Sequence, residues 1–157
     1  MSGAVRVIVG VISDTHGLLR PEALTALRSS DFIIHAGDIG DPAILQKLRE
    51  IAPVTAVRGN VDQDAWTRSI PMTEVLEVNG VSIYILHKID DLDLNPEAAG
   101  FAAVVYGHSH VPKQETKNGV LYFNPGSAGP KRFTLPVSVG RVTVSDGELS
   151  AELETIV

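Results

Sequence analysis

Residues Val5–His16 read VRVIVGVISDTH. An apolar run broken only by Arg6 stops abruptly at Ser13-Asp14-Thr15-His16. A short continuous apolar run bounded in this way is the pattern of a strand covered on both faces. The polar residues that end it fall at the strand's carboxyl end, the side on which open α/β sheets bind ligands. The run is no targeting segment, because no small-residue cleavage site follows it.

The same arrangement recurs along the chain. Pro21 opens a helix in which Leu24 and Leu27 keep helical spacing, and Phe32–Ala36 is a second buried strand ending in Gly37-Asp38. Asp41-Pro42 is an N-cap followed by proline at the first helical position, and that helix runs to about Glu50. Pro53–Val57 is a third strand, closing on Arg58-Gly59-Asn60. A β-α-β-α-β rhythm predicts parallel strands with right-handed crossovers.

The second half is built of hairpins. Asn79-Gly80 joins Thr73–Val78 to Val81–Leu86, Asn118-Gly119 joins Gln114–Lys117 to Val120–Phe123, and Asp146-Gly147 joins Arg141–Ser145 to Leu149–Ile156. Between them Asn95-Pro96 opens a short helix and Ala102–Tyr106 forms another buried strand. No Ser/Gly linker separates the halves, and neither alone holds a comfortable core, so residues 1–157 are expected to form one domain. The expected architecture is a mixed two-sheet sandwich with outer helices.

Composition narrows the function. The chain has 157 residues, 44% hydrophobic and 20% charged, an ordinary globular balance. A net charge of −6 and an aromatic content of 5% argue against a nucleic-acid footprint, a base-stacking platform or an anionic-membrane surface. There is no cysteine, which excludes disulfides, thiolate metal sites and a cysteine nucleophile. No apolar run approaches the ~20 residues of a membrane span. The expectation is a cytoplasmic protein with no membrane partner, a monomer or small homo-oligomer.

Five strand ends deliver seven side chains able to bind metal: Asp14, His16, Asp38, Asn60, His87, His108 and His110. Taken singly, each has an ordinary reading as a cap, a turn residue or a buried histidine. Their common placement just past an apolar run is what carries weight. In His108-Ser109-His110, residues two apart share a face in extended chain, so both imidazoles can aim at one site. Imidazole, carboxylate and amide without thiolate suit Mn²⁺, Fe, Zn²⁺ or Ni²⁺. Seven ligands exceed the need of one ion with an open position and suit two ions sharing a carboxylate, about 3.5–4 Å apart, a geometry used for phosphoryl transfer.

In this ordered set (Asp14-x-His16, Gly37-Asp38, Gly59-Asn60-x-Asp62, His87, Gly107-His108-x-His110) the chain resembles the calcineurin-like metallophosphoesterases, and within them the small single-domain bacterial and archaeal phosphodiesterase branch. Ile34-His35-Ala36-Gly37-Asp38 and Asn124-Pro125-Gly126-Ser127 are also typical of that branch. The resemblance implies a four-layer α/β/β/α sandwich with two mixed sheets. It implies that Asp14, His16, Asp38 and His110 hold one divalent ion while Asp38, Asn60, His87 and His108 hold another, with Asp38 bridging. It further implies hydrolysis of small phosphodiesters by a metal-activated hydroxide, with Asp38, Asn60 and His87 at the chemistry and Mn²⁺ as the expected metal.

Two positions depart from the family pattern. Many members have a leaving-group histidine directly after Gly-Asn, where this chain has Val61; the branch usually has Gly-His after His87, where this chain has Lys88-Ile89. Arg58, Lys88 and Arg132 are candidate phosphate contacts. His35 and Asp62 are read as residues that hold the site in place from behind. Two rival readings use the same fold: an idle interaction scaffold resembling a retromer subunit, and a nuclease or nucleotide phosphatase. The unbroken ligand set counts against the first and the acidic net charge against long nucleic acid.

Overall fold

The computed structural model describes residues 6–157, so the Val5 end of the first predicted strand lies outside the described residues. Strand β1 (Arg6–Ile12) pairs in parallel with β2 (Phe32–His35), and β2 with β3 (Val54–Ala56). Helices α1 (Pro21–Leu27) and α2 (Pro42–Arg49) make the crossovers. The Asp41 carboxylate accepts a hydrogen bond from the Ala43 N–H at 2.9 Å, and Pro42 supplies the fixed φ of the first turn.

The hairpin β4 (Thr73–Val78) and β5 (Val81–Leu86) begins the second sheet. A four-residue helix α3 (Pro96–Ala99) precedes β6 (Ala103–Val105), and β7 (Lys113–Lys117) pairs antiparallel with β8 (Val120–Asn124). The last hairpin, β9 (Ser138–Ser145) and β10 (Glu148–Thr155), returns to the first sheet beside β1. The sheet orders are β10-β9-β1-β2-β3 and β4-β5-β6-β8-β7, both mixed. All three hairpins turn through consecutive positive-φ residues, Asn79-Gly80, Asn118-Gly119 and Asp146-Gly147, as type I′ turns require.

Alternation along the strands sorts side chains into layers. Val7, Val9 and Val11 face inward and meet Ile83, Ile85, Val105 and Phe123 of the opposite sheet. Ile12 and Ile33 face outward beneath Leu27, Leu45 and Leu48 of the two helices. The outer face of the second sheet, with Tyr84, Leu86, Val104 and Tyr106, is covered by Leu92, Leu94 and Phe101 from the segment around α3. The layers are therefore α/β/β/α, with the fourth reduced to one short helix and its flanking turns.

Several strand ends shift by one residue from the sequence reading, and two differences are larger. β9 starts at Ser138, not Arg141. Gly140 is needed there because a β-carbon would strike the buried Phe123 ring. Single 3-10 turns at Ala65–Ser69 and Ile89–Asp91 have no periodic signature and were not anticipated.

Candidate metal centre

The carboxyl ends of β1, β2, β3, β5 and β6 converge on one rim. The ligand atoms there fall into two groups, Asp14 with His16 and His110, and Asp38 with His87 and His108, each group lying within 4.8 Å. His110 Nε2 is 3.4 Å from Asp14 Oδ1, and His16 Nε2 is 3.3 Å from His110 Nε2. Asp38 Oδ2 is 3.3 Å from His87 Nε2 and 3.6 Å from His16 Nε2, so this one oxygen stands between the groups.

Asp14, Asp38 and His87 are each held from behind by one atom and turn the other towards the rim. Asp14 Oδ2 accepts from the Ser13 hydroxyl at 2.8 Å and the His108 N–H at 3.1 Å, while its buried Oδ1 has no partner. Asp38 Oδ1 accepts from the Val61 N–H at 3.0 Å, leaving Oδ2 to the centre. His87 Nδ1 donates to the Ala36 carbonyl at 2.7 Å when the imidazole is neutral, so its buried and unpartnered Nε2 is an acceptor aimed into the site. Buried polar atoms are seldom left unmatched. A cluster of lone pairs on two carboxylates and four imidazoles matches the donor set of divalent cations.

The backbone is bent to make this arrangement. Asp14, His16, Asp38, His108 and His110 all have φ between 47° and 72°, in the left-handed region. Such residues cost of order 1–3 kcal/mol each and persist where their surroundings hold them. They also correct the extended reading of His108-Ser109-His110: the turn at φ 72° and 65° separates the two side chains, sending His110 to Asp14 and His108 to Asp38. Close glycines make the room. A β-carbon on Gly59 would strike Asp38 Oδ1, and one on Gly107 would come within 2.8 Å of Asp14 Oδ2.

Charges follow from these contacts. Burial would raise the Asp38 carboxyl, but the His87 imidazole close beside it and the bond from the Val61 N–H hold it down to about 2. Burial would lower His87, yet Asp38, the Ala36 carbonyl and Asp14 bring it above its ordinary value. Burial lowers His16, against the pull of Asp38 and Asp14 and with a contribution from the Arg132 charge.

The remaining sequence candidates occupy distinct places. His35 is fully buried and pushed down to about 4, chiefly by burial, and it belongs to neither ligand group. Asp62 accepts N–H bonds from Ile39, Gly40 and Gly59, tying the loop after β2 to the loop after β3. Asn60, Arg58 and Lys88 line a groove of about 480 Å³ that reaches His87. Arg132 is exposed, lies outside that groove, and touches the centre only through the effect of its charge on His16. Sequence reasoning assigned no role to Asn124 or Ser127. The Asn124 amide donates to the Gly107 carbonyl and Ser109 hydroxyl, both at 3.1 Å, and the Ser127 hydroxyl donates to the Asp14 carbonyl at 3.0 Å. Both brace ligand loops, and their only signal was the Asn-Pro-Gly-Ser run itself.

Residues 7–147 match the calcineurin-like phosphoesterase superfamily domain. The chain belongs to this superfamily. It is a metallophosphoesterase, and the two ligand groups are where it would hold divalent metal. A probable metallophosphoesterase of Methanocaldococcus jannaschii is 35% identical across 93% of this chain and 80% of its own. A phosphodiesterase of Escherichia coli is 29% identical across 82% of this chain and 83% of its own. The phosphoesterase fold is shared with Vacuolar Protein Sorting 29 of Cryptosporidium parvum, with a TM-score of 0.75, 18% identity and 98% of each chain covered. No helix among the described residues is long and apolar enough to cross a membrane.

Proposed function

We propose that this metallophosphoesterase acts as one domain over residues 1–157 and hydrolyses small phosphodiesters in the cytoplasm. Its centre takes two divalent ions, with Mn²⁺ the preferred metal. The observation that carries the reading is the pair of facing ligand groups with Asp38 Oδ2 between them. Asp14, His16 and His110 serve one ion, and Asn60, His87 and His108 the other, with Asp38 shared.

Divalent ions held there supply a water ionised near neutral pH and neutralise charge on phosphoryl oxygens. The chain's own residues do the rest. The Ala36 carbonyl keeps His87 in the tautomer whose Nε2 faces the centre. Val61, through its N–H, fixes which Asp38 oxygen is free. Hydrolysis forms a P–O bond to the attacking oxygen and breaks one ester P–O bond. The departing alkoxide takes its proton from solvent, since the Val61 side chain has none to give. Good leaving groups are therefore favoured.

The test is hydrolysis of bis(4-nitrophenyl) phosphate with added Mn²⁺, with other divalent metals, and with chelator. Metal-dependent turnover that Asp38→Ala abolishes supports the reading. Equal rates with and without metal overturn it. A scaffold role, suggested by the likeness to Vacuolar Protein Sorting 29, leaves the buried, unpartnered Asp14 Oδ1 and His87 Nε2 unexplained.

A further inference from the structure

The groove of about 480 Å³ beside His87 lies between the loop after β3 and the turn after β5. Its size suits a small ligand group. Two cations line it, Arg58 and Lys88, each half-buried. Among the described residues neither forms an ion pair. Arg58 Nε is buried with no hydrogen-bond partner. An unmatched guanidinium N–H in a cleft invites an acceptor.

The anions in the wall do not fill that need. Asp62 already accepts from three backbone N–H groups. Asp91 is exposed and lies in no ion pair with either cation among the described residues. Met72 and Leu86 add an apolar surface between the polar groups. The groove thus has two cations to spare, an apolar wall, and one end at the centre.

We propose that Arg58 and Lys88 form a second anion subsite, so that the preferred phosphodiester carries a further anionic group on the ester arm lying in this groove. The proposal rests on the phosphodiesterase reading and names the substrate class within it. Lys88 is the specificity-determining residue, placed directly after His87 and lining the groove.

The test compares 4-nitrophenyl propyl phosphate with 4-nitrophenyl 2-carboxyethyl phosphate on the Mn²⁺-loaded protein. The arms have the same number of carbons and differ by one charge. The wild type should favour the carboxylate by about tenfold in kcat/KM, the scale of a charge-assisted contact. Lys88→Glu should bring the ratio below one, and Lys88→Gln with Arg58→Gln should bring it near one. A wild-type ratio of one or less, or a ratio indifferent to Lys88→Glu, overturns the subsite. Calorimetry with 3-phosphonopropionate against propylphosphonate reads the same extra charge without turnover. If neither diester is hydrolysed, the activity reading falls. The calorimetric preference, present and reversed by Lys88→Glu or else absent, then decides the subsite alone.

Discussion

His35 Nε2 lies 3.0 Å from Thr15 Oγ1, joining two ligand-bearing loops through a buried imidazole. The Gly37 N–H donates to His35 Nδ1 at 3.1 Å, so Nδ1 carries no proton and Nε2–H donates to Thr15. The Thr15 hydroxyl in turn donates to the Ile39 carbonyl at 2.8 Å. This chain of donors requires a neutral ring.

Stability should accordingly fall in mild acid. The ring is pushed down to about 4 in the folded protein, chiefly by burial. In the unfolded chain it titrates near 6.5. Between these values the unfolded state binds more protons, so the contribution is complete above about pH 6.5 and is lost as pH falls towards 4. The loss is on the order of 3 kcal/mol. Urea unfolding in chelator at pH 7 and pH 4.5 measures it. His35→Gln should be less stable at pH 7 and show a smaller drop; equal drops would refute the assignment.

Asp38→Ala should remove both ions, whereas Asp14→Ala should weaken chiefly the ion shared with His16 and His110. The difference rests on Asp38 Oδ2 standing within 3.6 Å of both His16 and His87. Elemental analysis after equilibration in Mn²⁺ gives the stoichiometry, and loss of only one ion from Asp38→Ala would contradict bridging. Chelator should lower the Tm of the wild type, because a ligand bound at 100 times its Kd adds about 2.7 kcal/mol. It should leave the Tm of Asp38→Ala nearly unchanged.

Gly59→Ala should damage the centre without touching a ligand. The added methyl group collides with Asp38 Oδ1 and its backbone nitrogen. Overpacking of this kind costs about 1–3 kcal/mol. The expected result is a lower Tm together with weaker metal binding. Normal Mn²⁺ affinity in a destabilised variant would mean that the strain is taken up elsewhere.

The strands and their ends were legible because burial on both faces leaves a continuous apolar run, and a polar residue that interrupts it must have a reason. Asp14, Asp38 and His87 stood out in this way. The left-handed φ of His108 and His110 had no such mark, since histidine gives no hint of it and the extended reading was the default. Asn124 was hidden for another cause: its work is bracing the Gly107 carbonyl across 17 residues of sequence, a contact that no local pattern encodes. The cover over the second sheet was equally obscure, being made of turns.

Val61→His should restore an acid to the departing oxygen. Val61 is 53% exposed, and its contact with Asp38 runs through the backbone N–H, which a histidine at that position keeps. Histidine can therefore be placed there without burying a charge or losing the bond that orients Asp38. In the wild type the rate should depend steeply on the leaving group, because the alkoxide leaves without a positioned donor. Diesters should be hydrolysed faster than the matching monoesters. A positioned general acid contributes about 10²–10⁴-fold where protonation limits the rate and little where it does not. Across a series of substituted phenyl diesters in Mn²⁺, Val61→His should raise kcat/KM most for the poorest leaving groups and flatten the dependence on leaving-group pKa. The gain should disappear above the imidazole's own pKa, where the donor is lost. A uniform change across the series, or an improvement that persists at high pH, would show that the side chain acts on binding and not on the departing oxygen.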